Sequence, residues 1–124
     1  MSTRSLRARD YLAHMTDAIK QIQTYIGKQT KAEFVANRLL QDAVIRKPEV
    51  LDEAARCFLA AVPNASEILP GIPFSAIYAM RNQLSHGYFT VDLDVVWNVI
   101  ESDLPELQIE LEAAWRGFNE TSAG

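Results

Sequence analysis

Residues 11–27 read YLAHMTDAIKQIQTYIG. Leu12, Met15, Ile19, Ile22 and Ile26 follow one another at alternating steps of three and four. That spacing puts all five on one stripe of a helix, because an α-helix turns once every 3.6 residues. Gly27 follows the last of them and suits a helix C-terminus, where a left-handed residue is favoured.

The same reading extends outward along the chain. Thr30 and Glu33 have the spacing of a capping box, which predicts a second helix with Phe34, Val35, Leu39 and Ala43 facing inward. Pro48 is expected to interrupt that pattern. A third helix carries Leu51, Ala55, Phe58 and Val62 and should end near Pro63. Residues 63–73 contain Pro63, Asn64, Pro70, Gly71 and Pro73 and read as a loop. Pro73 suits the first turn of a short helix through Ile77, Met80 and Leu84, with Gly87 as its stop. Asp92 or Asp94 can cap the last long helix, whose stripe runs through Trp97, Ile100, Leu104, Leu107, Leu111, Ala114 and Phe118. Pro105 lies inside that stripe and should kink or break it. Tyr88-Phe89-Thr90-Val91 is too short to argue for a strand. The expected fold is therefore all-α, an antiparallel bundle of four to five helices in one domain over 1–124, with a frayed tail at 120–124.

At 124 residues, with 48% hydrophobic and 23% charged residues, the chain has the composition of a soluble domain with one core. Its net charge of -4 argues against broad nucleic-acid binding. The charge is uneven: residues 1–56 hold ten Lys/Arg and seven Asp/Glu, whereas residues 57–124 hold two and nine. RNA contact would need a local basic site, with Arg4, Arg7 and Arg9 as possible helpers or else simply a solvated N-terminus. The lone Cys57 sits in an apolar run and is expected to be a buried, inert thiol. No apolar run approaches a membrane span and no secretory signal is evident, so a cytoplasmic location is expected.

One arginine in the acidic half stands out. Arg81-Asn82-Gln83-Leu84-Ser85-His86-Gly87-Tyr88 places a permanent cation, an imidazole and a phenol close together. A guanidinium can hold a phosphate through several hydrogen bonds, and an imidazole can move protons near neutral pH. Five residues of helix separate Arg81 from His86 by roughly 140° beyond a full turn. The long stem of Arg81 and the helix end at Gly87 can make up that difference. Asn82 lies four residues before His86 and can set its tautomer. The C-terminal end of a helix favours the imidazolium form. Together these groups have the chemistry to cleave an RNA phosphodiester without metal, with the 2′-hydroxyl attacking, Arg81 stabilising the growing charge and His86 acting as base or acid; by composition alone they read more simply as a surface arginine and a helix-terminal histidine. One motif histidine per chain is thin for both proton transfers, and a symmetric dimer would supply the second.

Arg81-x4-His86-x-Tyr88 resembles the R-x4-H-x-Y motif of the HEPN superfamily, in its HepT-like branch. The likeness continues through Asp10-Tyr11-Leu12, Glu33-Phe34, Asp42-Ala43-Val44-Ile45-Arg46 and Glu53-Ala54-Ala55. Downstream it includes Val91-Asp92, Val96-Trp97 and Asp103-Leu104-Pro105-Glu106-Leu107. The resemblance implies a helical bundle that dimerises with its motifs facing a shared cleft. It also implies a metal-independent endoribonuclease toxin that needs no cofactor. The implied partner is a minimal nucleotidyltransferase antitoxin of the MntA-like group, which can transfer AMP from ATP to Tyr88. Asp52 stands where the family often has glycine, and Phe74 where it often has tryptophan. Neither change is expected to touch Arg81, His86 or Tyr88.

Other chemistries have less support. Asp10, His14 and Asp17 have helical spacing for a cation but read as a solvated face, so no metal site is expected. Glu101, Asp103 and Glu106 read as the wet side of the last helix. No glycine-rich phosphate loop occurs, and Cys57 and Ser85 lack triad partners. The alternative function is a non-catalytic, nucleotide- or partner-binding subunit of a nucleotidyltransferase complex.

Overall fold

The computed structural model describes the backbone over residues 3–85 and 92–123, and side chains over 7–83 and 92–118. Among the described residues seven α-helices follow one another: α1 (Thr3–Ile26), α2 (Lys31–Val35), α3 (Arg38–Ala61), α4 (Ala65–Ile68), α5 (Phe74–Ser85), α6 (Leu93–Asn98) and α7 (Leu104–Ala123). A π-helical segment, Val99–Asp103, joins the last two. The fold is an all-α bundle, and the described residues contain no strand.

The stripe on α1 is the inner wall of the core, with Leu12, Met15, Ile19, Ile22 and Ile26 all buried. Gly27 ends the helix with φ of 55° and an N–H donated to the Gln23 carbonyl at 2.9 Å. A side chain there would be strained, because a β-carbon disfavours left-handed backbone. The capping box is present in full: the Thr30 hydroxyl accepts from the Glu33 N–H at 3.2 Å, and Glu33 Oε1 accepts from the Thr30 N–H at 3.0 Å.

The next boundary differs from the expected one. Pro48 does not separate two helices; it is buried inside a continuous α3. The break falls at residues 36–37, where two polar side chains provide for the backbone groups a helix end leaves unpaired. Asn37 Oδ1 accepts from the Leu40 N–H at 3.0 Å. Gln41 Nε2 donates to the carbonyls of Phe34 and Val35 at 3.0 and 2.9 Å. Restarting the helix at Arg38 changes its phase. Leu40 and Val44 therefore face the core, while Leu39 is 81% and Val35 45% exposed.

The remaining punctuation follows the sequence more closely. α3 ends at Ala61, and the short α4 interrupts the loop expected over 63–73. Asp92 caps α6, its Oδ1 accepting from the Asp94 and Val95 N–H groups. Pro105 cannot donate to the carbonyl four residues back, and the helix adjusts in the widened turn just before it. Cys57 is half-buried rather than fully enclosed.

Side-chain pairs fix the packing directions. Gln23 bonds to Gln108 at 2.7 Å, and the Arg9 guanidinium lies 3.9 Å from the centre of the Trp115 ring. Ascending α1 thus runs beside descending α7. In the same way Asp52 meets Arg81 and Phe58 stacks on Phe74, so α3 and α5 are antiparallel. No described helix is long and apolar enough to cross a membrane.

Candidate active site

α5 carries the described part of the motif. Its first turn forms on Pro73, whose carbonyl accepts the Ile77 N–H at 3.0 Å. Ile77 is buried and anchors one side of the helix to the core. Phe74 adds a second anchor, its ring stacked on Phe58 with centroids 5.9 Å apart. Phe118 packs edge-on against the same Phe58 ring at 5.4 Å. This aromatic cluster fixes the rotation of α5, and with it the directions of Tyr78, Arg81 and Asn82.

The Arg81 side chain is 31% exposed, so its guanidinium is held by the protein and still reachable from solvent. Its Nη1 donates to Asn82 Oδ1 at 2.8 Å. Its Nε lies 3.7 Å from Asp52 Oδ2. Asn82 therefore orients the arginine through its oxygen. The contact expected between Asn82 and His86 cannot be placed, because His86, Gly87 and Tyr88 lie outside the described residues.

Asp52 and Arg56 are the residues that sequence reasoning missed. Asp52 was expected to leave the motif untouched; instead its carboxylate reaches Arg81. Its side chain is only 3% exposed, and the same Oδ2 faces Arg56 Nε at 3.4 Å. Among the described residues that oxygen has no hydrogen-bond partner, and its compensation there is ionic, from two guanidiniums. A buried carboxylate without such partners would be costly. One signal in the sequence could have exposed the pair. Asp52 borders the apolar stripe of Leu51, Ala55 and Phe58, and Arg56 follows it at the i,i+4 spacing of a helical ion pair.

The N-terminal arginines divide. Arg9 is committed to the face of Trp115, a cation–π contact that also buries its Nε. Arg7 remains exposed. His14 is exposed, and Asp17 accepts a hydrogen bond from Gln21 at 2.8 Å. No group of three metal-ligating side chains occurs among the described residues.

The profile of the family described as "Ribonuclease HepT-like" matches residues 15–114. A Thermococcus cleftensis protein named "Probable ribonuclease HepT" is 33% identical over 105 residues, covering 84% of this chain and 92% of its own. "Gamma-glutamylcyclotransferase and putative RNase MJ0434" of Methanocaldococcus jannaschii is 35% identical over 101 residues. That match covers 82% of this chain but 44% of the relative, so the chain spans under half of that longer protein. "Putative RNase MJ1380" of the same organism is 28% identical over 112 residues, 90% of this chain and 98% of its own. No solved structure matches the chain. The class so defined is an all-α endoribonuclease. The chain belongs to the HepT-like ribonuclease family of the HEPN superfamily.

Proposed function

We propose that the chain is the toxin of a toxin–antitoxin pair and cuts RNA without a metal ion, with Arg81 and His86 as its catalytic residues. The observation that carries this reading is Arg81 itself: a half-buried, pre-oriented guanidinium in an acidic half of a ribonuclease-family chain. The 2′-oxygen of RNA attacks the adjacent phosphorus while a base takes its proton. The bond from phosphorus to the 5′-oxygen breaks, and an acid protonates the leaving oxygen. The products are a 2′,3′-cyclic phosphate and a 5′-hydroxyl. Arg81 stabilises the negative charge that grows on the non-bridging oxygens. His86 of each protomer in a homodimer supplies one of the two proton transfers.

Control is assigned to Tyr88. A nucleotidyltransferase antitoxin joins the Tyr88 oxygen to the α-phosphorus of ATP, and pyrophosphate leaves. The added anion competes with the RNA phosphate for Arg81.

Purified wild-type protein should cut RNA in EDTA and spare DNA of the same sequence. Arg81→Ala and His86→Ala should each lose about 10²–10³-fold in rate with the fold retained by circular dichroism. Cleavage that chelator abolishes and Mg²⁺ restores would overturn the mechanism. A folded His86→Ala protein with full activity would favour a binding subunit.

A further inference from the structure

Beside Arg81, α3 and α5 and the connection through α4 enclose a cleft of about 550 Å³. Asp52, Arg56, Ser66, Phe74, Ser75 and Tyr78 line it. We propose that this cleft is a nucleotide subsite for single-stranded RNA, adjoining the scissile phosphate. Arg56 binds the next phosphate along the strand, Tyr78 stacks on the intervening base, and Asp52 holds Arg56 and Arg81 at a set spacing. The assignment rests on the ribonuclease reading and names where the substrate strand runs.

Four observations converge on it. The volume falls in the ordinary range of small-ligand sites, roughly 300–1,000 Å³, and suits one nucleotide. Tyr78 is 53% exposed and lies three residues before Arg81, nearly one helical turn away and on the same side of α5. An exposed ring beside a cationic groove is the usual platform for a base of single-stranded nucleic acid. The charge balance also fits. Two guanidiniums share one buried carboxylate and leave one net positive charge for the strand. Finally, the cleft of similar size on the other side of α5 is lined by Asp103, Glu106 and Glu110 and offers no cation among its described residues. Phosphates would be repelled there.

The test uses the full chain and a fluorescently labelled 12-nucleotide RNA, followed by anisotropy across a series of NaCl concentrations, with cleavage measured in parallel. Arg56→Gln should weaken binding and reduce the slope of log K against log salt by about 0.7, the contribution of one phosphate contact on a single strand. Arg56→Lys should keep the wild-type slope. Tyr78→Leu should weaken binding on the order of five- to a hundred-fold with the salt slope unchanged, and Tyr78→Trp should restore it. Wild-type binding and slope in both Arg56→Gln and Tyr78→Leu would overturn the subsite even in a fully active ribonuclease. A wild type that binds the RNA with these dependences but never cuts it would instead overturn the ribonuclease reading and support the subsite. A wild type that binds no RNA overturns both.

Discussion

A carboxylate buried beside Leu51 and Ala55 needs a cation nearby, and Asp52 has two. The arrangement is asymmetric in its dependence. Arg56 and Arg81 are partly solvated and can turn toward water, whereas Asp52 cannot. Replacing either arginine by alanine should therefore cost little, about 1 kcal/mol or less, because the other remains and exposed charges are screened. Replacing both should cost more than the sum by about 1 kcal/mol or more, since Asp52 is then buried without a partner. Urea unfolding of the two single variants and the double variant measures this coupling. Additive effects within about 0.3 kcal/mol would show that Asp52 does not depend on the pair. The same geometry makes Asp52 a positioning residue of the proposed site, since it limits the positions Arg81 can take, as Asn82 also does.

Among elements, α5 matters most for the site, and Phe58 on α3 matters most for α5. Phe58 is fully buried and touches the rings of both Phe74 and Phe118. Through it the start of α5 is held against α3 and the end of α7. Phe58→Ala should lose about 3–5 kcal/mol, the usual cost of emptying a core aromatic position. Thermal or urea unfolding gives the value. A loss below about 1 kcal/mol would mean that the cluster does not hold the helices together. Where the protein survives this substitution, cleavage should fall as well, because the direction of Arg81 depends on the rotation of α5. The α2–α3 junction works differently. It is built by Asn37 and Gln41 through hydrogen bonds within a few residues, and it sets which face of α3 meets the core.

At the scale of the whole molecule, two proposed properties can be measured directly. The chain of 13.9 kDa should run as a homodimer or larger in light scattering. A clean monomer at micromolar concentration would remove the second His86 from the mechanism. With ATP and the partner nucleotidyltransferase, wild type should gain the mass of an adenylate and lose cleavage. Tyr88→Phe should keep ribonuclease activity and escape the modification. Equal silencing of both proteins without a mass shift would make inhibition a matter of binding alone. The acidic surface belongs to this scale too. With nine acidic residues and two arginines beyond residue 56, the proposed RNA site depends on Arg81 together with Arg56 from the more basic half.

Features set by neighbours three or four residues apart were legible in the sequence. The stripe from Leu12 to Ile26, the Gly27 stop, the Thr30–Glu33 box, the Asp92 cap and the disturbance before Pro105 all depend on such local spacing. The all-α bundle follows from them, since amphipathic helices must bury their stripes on one another. Arg81 and Asn82 were legible as candidates from residue chemistry and motif spacing. The break at Asn37 was obscured because Pro48 looks like the stronger interruption, yet a long helix can keep a buried proline when the surrounding packing compensates. Asp52, Arg56 and Tyr78 acquire their relation to Arg81 only where α3 and α5 run antiparallel. That pairing comes from the aromatic contacts at Phe58 and Phe74, between residues of different helices, and no periodicity within one helix encodes it. The tertiary structure therefore decided which charge stands beside Arg81, because a buried carboxylate acts on whatever cation packing brings to it.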